Sequence, residues 1–118
     1  MVVLADCLHS HYESQTTMLK ALLLSLALSN GLDAGTSIAA FRRGAVELNP
    51  LVISRPTPVF VAQVSVATAG ELWLASKLNA KHPKLTRTLL AIGIGAGVAA
   101  SVNNIHVYRS LSPTAARR

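Results

Sequence analysis

Charge is scarce in this chain. Asp, Glu, Lys and Arg make up 14% of its 118 residues, whereas 51% are apolar and mean hydropathy is +0.43. That balance excludes an ordinary water-soluble domain of this length. There is one cysteine, Cys7, so an internal disulfide is excluded and the redox compartment is left unmarked. Enzyme motifs are missing as well: there is no G-x-S-x-G, no H-E-x-x-H and no phosphate loop, and Gly93-x-Gly95-x-Gly97 lies inside an apolar stretch that a dinucleotide does not reach. The motif content therefore leans away from catalysis. No nucleic-acid-binding module is recognisable either, although net charge is +6.

What the chain does have is three apolar stretches, at about 20–40, 56–76 and 88–108. Each approaches the roughly 20 residues a helix needs to cross a bilayer. The expected fold is all-α: a polytopic membrane protein with three transmembrane helices in a small bundle. It forms a single membrane domain over 1–118, with a short N-terminal segment 1–19 and a basic C-terminal tail 109–118. The spans use about 63 residues, which leaves no room for a separate extramembrane domain. The run 21–28 resembles the h-region of a secretory signal, but Asp6 and Glu13 stand where a positive n-region belongs, so a retained span is expected.

The basic residues cluster at the ends of these spans. Arg42 and Arg43 close the first, Arg55 opens the second, Lys77, Lys81, Lys84 and Arg87 occupy the second connection, and Arg109 ends the third. Contact with anionic headgroups is the expected role, and membrane lipids rather than nucleic acid are the partners this pattern implies. Phe41, Trp73 and Tyr108 stand beside these charges, where amphipathic rings prefer the interface. Sidedness is nearly balanced. Lys20, Lys77, Lys81, Lys84 and Arg87 give five charges to one face, and Arg42, Arg43, Arg55, Arg109, Arg117 and Arg118 give six to the other. Because Arg42 and Arg43 follow the first span directly, an extracytoplasmic N-terminus is expected, in a prokaryotic cytoplasmic membrane.

Polar residues inside the spans carry the strongest pattern. Ser25, Ser29, Asp33 and Ser37 recur at i+4, flanked by Asn30 and Thr36, which makes one polar stripe on the first helix. At 1.5 Å per residue Asp33 lies about 15 Å from Arg43, near mid-depth. There an unpaired carboxylate costs about 2.5 to 3.5 kcal/mol on insertion scales. The simplest role for the stripe is a hydrogen-bond hub for helix packing. In the second span Gln63, Ala67, Gly70, Glu71 and Leu74 share a face, and Glu71 is expected to reach headgroups or to pair with Lys77 or Lys20. In the third, Gly93, Gly97 and Ser101 have the small-x-x-x-small spacing that lets another helix approach closely.

The first and third spans end on the same side of the membrane. A polar intramembrane cluster of Asp33, Thr36, Asn103, Asn104 and His106 is therefore expected, opening toward the first connection. That connection contains Gly44, Glu47, Asn49 and Pro50. Structural roles are available to all of them: Pro50 can open a helix, Asn49 can cap it, and Glu47 can pair with a neighbouring arginine. Asp33-x-x-Thr36 followed by Gly44-x-x-Glu47-x-Asn49-Pro50 resembles the signature of a prokaryotic family of small integral membrane proteins defined only as a domain of unknown function. The likeness covers the first span and its following loop. It implies a short helical bundle with these six motif residues, and it brings no activity.

Two ligand readings rest on histidine. Cys7, His9 and His11 alternate as an extended segment presenting metal ligands would, but they have no fourth partner. His106, near a span end beside a glycine-rich face, is a candidate ligand for a haem or chlorophyll-type pigment. Two classes of function remain open. One is a structural or accessory subunit that docks other membrane-protein subunits, as in an energy-transducing complex. The other is a transporter-like homo-oligomer that binds an ion, a proton or a lipid headgroup through Asp33 and Glu47.

Overall fold

The computed structural model describes residues 2–46 and 57–111. They form three helices, α1 (Val2–Arg42), α2 (Thr57–Asn79) and α3 (Pro83–Ser110), with no strand among the described residues. All three are long and apolar enough to cross a membrane, α1 through its Tyr12–Arg42 portion. The chain is thus an all-α polytopic membrane protein.

The first helix corrects one expectation. Residues 1–19 read as a short segment before the span, yet the backbone is helical from Val2 onward. No glycine occurs before Gly31 and no proline before Pro50, so nothing in the sequence interrupts the helix once it has started. At 1.5 Å per residue its 41 residues span about 61 Å. A hydrocarbon core is about 30 Å thick, so the N-terminal turns extend well past it. Cys7, His9 and His11 therefore lie on helical rather than extended backbone, which removes the premise of the alternating metal-ligand reading.

Gly44 stops α1. Its φ of 96° is in the left-handed region that a Cβ disfavours. The Gly44 N–H donates to Phe41 O at 2.9 Å and the Ala45 N–H to Ala40 O at 3.1 Å, the paired bonds of a Schellman ending. Glu47, Asn49 and Pro50 lie outside the described residues, as does the tail beyond Leu111. Both later helices run past the expected spans. Only residues 80–82 separate α2 from α3, and Pro83 opens α3 at a position where its missing N–H is not needed.

Two sets of contacts fix the register. Asn30 meets Glu71, and Phe41 meets Phe60 edge-on with ring centroids 5.6 Å apart, so α1 and α2 run antiparallel. Gly93 faces Leu26, Gly97 faces Ser29, Asn104 meets Asp33, and Arg43 stacks on Tyr108, so α1 and α3 run parallel. The α1–α3 pair is the principal contact. Small side chains make this approach possible: a Cβ on Gly97 would meet Ser29 Oγ at 2.9 Å and backbone at 3.4 Å. Ser29, Gly97 and Ser101 are buried here. By contrast, α2 is covered least, with only 6% of its spanning window buried against 22% for α3.

Candidate functional site

A groove of about 490 Å³ is lined by residues of all three helices. Leu74 and Leu78 form one wall, Leu89 and Leu90 the other, and Asn30 and Asp33 contribute from below. Glu71 stands on the α2 side, so two carboxylates face one apolar space.

Each carboxylate accepts a bond from a carboxamide on another helix. Asn104 Nδ2 donates to Asp33 Oδ1 at 2.8 Å and to Ser37 Oγ at 2.9 Å, with Thr36 Oγ1 at 3.3 Å. Thr36 accepts there because its own hydroxyl hydrogen is directed to the carbonyls of Leu32 and Asp33, at 2.9 and 3.0 Å. Asn30 Nδ2 donates to Glu71 Oε2 at 2.8 Å and to Thr68 Oγ1 at 3.1 Å. One amide therefore joins α1 to α3 and another joins α1 to α2. Charge-assisted bonds of this kind gain strength in a low-dielectric setting.

Of the expected polar cluster, Asp33, Thr36 and Asn104 come together and Asn103 and His106 do not. Helical geometry explains the split. The α3 face that meets α1 carries Gly97, Ser101, Asn104 and Tyr108, and a residue two positions from Asn104 is turned about 200° around the axis. His106 is exposed on that far side, and Asn103 is exposed as well. The glycine face expected beside His106 is instead filled by Leu26 and Ser29 of α1. Among the described residues no group of three or more His, Cys, Asp and Glu is gathered to hold a metal.

Three further expectations shift. Glu71, expected to reach headgroups or to pair with Lys77 or Lys20, accepts a bond from Asn30. Ala67 and Gly70, expected in a seam with Glu71, are exposed, because α2 turns Phe60 and Thr68 toward α1 instead. Ser25 of the polar stripe is also exposed, while Ser29 and Ser37 are buried. In the loop motif, Gly44 has a structural account as the helix stop.

Sequence reasoning missed Ser37 as a partner of Asn104 and Asn30 as the partner of Glu71. Asn30 was recognisable only with the α1–α2 register in hand. Also missed was Gly31-x-x-x-Gly35, a small-residue pair on α1 at which an added Cβ meets nothing within 4 Å. The spacing was visible, but that the pair lies apart from the α1–α3 contact was not. No protein-family model, curated protein or solved structure matches this chain.

Proposed function

We propose that this chain is a structural or accessory subunit of a larger membrane assembly, of the energy-transducing kind, in a prokaryotic cytoplasmic membrane. The carrying observation is Gly31 and Gly35. They are four residues apart on α1, both exposed, with open space where a side chain would begin. Small residues at this spacing let a second helix backbone approach, and in lipid that close packing is a main source of association energy. The same spacing is already used once within the chain, where Gly93 and Gly97 receive α1. Support also comes from α2, whose spanning window is only 6% buried by its own chain. The Asp33–Asn104 contact takes the role of an internal fastener in this reading.

The test is mild detergent extraction of native membranes, purification through a C-terminal tag, and mass spectrometry with an absorption spectrum of the eluate. A stoichiometric larger complex that is lost on Gly35→Leu supports the subunit reading. A clean homo-oligomer sinks it.

A further inference from the structure

The end of the bundle that carries the α2–α3 connection collects cations from all three helices. Lys77 is on α2, Lys81 in the connecting turn, Lys84 and Arg87 on α3, and Lys20 on α1. The helix register brings them to similar depth. Leu26 faces Gly93, and Lys20 and Arg87 each stand six residues before that contact. Asn30 meets Glu71, and Lys20 lies ten residues before the first as Lys81 lies ten after the second. Acids are remote: Glu13 is seven residues outward of Lys20 and Glu71 six inward of Lys77, about 9 to 10 Å along the axes.

None of these five side chains makes an ion pair or a hydrogen bond among the described residues. Arg87 Nε is buried without an acceptor, and Asn79 Oδ1, at the same end, is buried without a donor. At the opposite end of the bundle Arg43 is already engaged by Tyr108. The start of α3 adds to the positive potential, since no acidic residue stands in its first turn and no side chain caps it. Trp73, exposed and one turn inward of Lys77, sets this ring of charge at the membrane–water boundary.

We infer that this end binds an anionic phospholipid, with its phosphate among Lys81, Lys84 and Arg87 and an acyl chain against Leu74, Leu78 and Leu89. Ammonium and guanidinium groups without counterions are phosphate ligands. A zwitterionic lipid would bring its own ammonium against five cations, so net negative charge is selected. A water-soluble phosphate would use the charge alone, whereas a lipid also uses the apolar wall of the groove that starts at this level: Leu78 follows Lys77, and Leu89 is two residues from Arg87. Glu71 is about 10 Å deeper than Leu78, so the chain packs on leucines nearer the surface than the acids. The site is independent of the accessory-subunit reading, because Gly31 lies eleven residues, about 16 Å, inward of Lys20.

The test is native mass spectrometry of the full-length protein titrated with dioleoyl phosphatidylglycerol or dioleoyl phosphatidylethanolamine. Wild-type protein is expected to take its first phosphatidylglycerol about tenfold more tightly than phosphatidylethanolamine, and glycerol phosphate at about hundredfold excess should not displace it. Lys81→Gln combined with Arg87→Gln is expected to bring the preference below about threefold, while Arg42→Gln combined with Arg109→Gln leaves it above that value. A wild-type preference below about threefold, a preference that survives the first pair or is lost with the second, or displacement by glycerol phosphate overturns the inference; the last outcome would point to a water-soluble phosphate ester instead. Should the first pair lose helical content, photolabelling of the wild type with phosphatidylglycerol bearing a diazirine in its acyl chain decides. Adducts on Leu74, Leu78 or Leu89 support the site, and adducts confined to other surfaces overturn it.

Discussion

Asn104 on α3 donates to Oδ1 of Asp33 on α1 at 2.8 Å, and the same amide nitrogen reaches Ser37 one turn further on. A single side chain thereby ties α3 to two turns of α1.

Asn104→Leu should consequently lower stability in detergent by about 1 to 3 kcal/mol, because it strips a donor from a carboxylate and two hydroxyls at once. Asp33→Asn retains an oxygen acceptor and should cost less than about 1 kcal/mol. Thermal unfolding followed by circular dichroism compares the two. Equal losses would show that the charge itself, rather than the hydrogen bond, is what α3 needs.

Gly97 and Gly95 make a matched pair on one helix. A Cβ at Gly97 runs into Ser29 at 2.9 Å, while at Gly95 it meets nothing within 4 Å. Gly97→Ala is expected to destabilise by about 1 to 3 kcal/mol as the helices are forced apart. Gly95→Ala should be neutral or stabilise by up to about 1 kcal/mol through helix propensity. In the same detergent the melting temperature should fall for Gly97→Ala and hold or rise for Gly95→Ala.

At the end of α1, Arg43 stacks over the Tyr108 ring at 3.7 Å and donates Nη1–H to the Tyr108 carbonyl at 3.2 Å. Neither contact uses the phenol oxygen. Tyr108→Phe should therefore be tolerated, whereas Tyr108→Leu should cost about 0.5 to 2 kcal/mol by removing the ring face. If phenylalanine proves as damaging as leucine in a thermal melt, the hydroxyl has a role that this geometry does not contain.

Replacing Gly44 tests the helix stop. With φ at 96°, Gly44→Ala should cost about 1 to 2 kcal/mol and Gly44→Asn appreciably less, since asparagine tolerates the left-handed region. Hydrogen exchange at Ala45, whose N–H closes the turn on Ala40, should rise more in the alanine variant. Unchanged exchange in both would mean that the turn is held by the following chain instead.

The three spans were legible because their signal is one of composition and length, which survives any arrangement of the helices. Asp33, Thr36 and Asn104 were legible because both helices end on the same side of the membrane, so depth alone brought them level. Rotation was not legible. Asn103, Asn104 and His106 are nearly equal in depth, and only the close approach at Gly97 decides that Asn104 turns inward and the other two outward. Glu71 illustrates the same gap between helices. Its partner Asn30 lies forty-one positions away, and nothing local to either residue announces the pairing. The helicity of residues before Lys20 was missed for a different reason: attention to hydropathy favours the apolar part of a helix and overlooks the polar turns that continue it.

Continuity of α1 has a mechanical consequence. From Val2 to Arg42 there is no proline to act as a hinge, so the turns before Lys20 and the turns carrying Asn30 and Asp33 form one stiff rod. About 27 Å of that rod precedes Lys20, and a tilt of about 10° there displaces its outer end by roughly 5 Å. Conversely, a lateral pull on the outer end is delivered as torque at the Asn30–Glu71 and Asp33–Asn104 bonds. Both carboxylates of the groove are thus anchored to a single arm that reaches beyond the hydrocarbon.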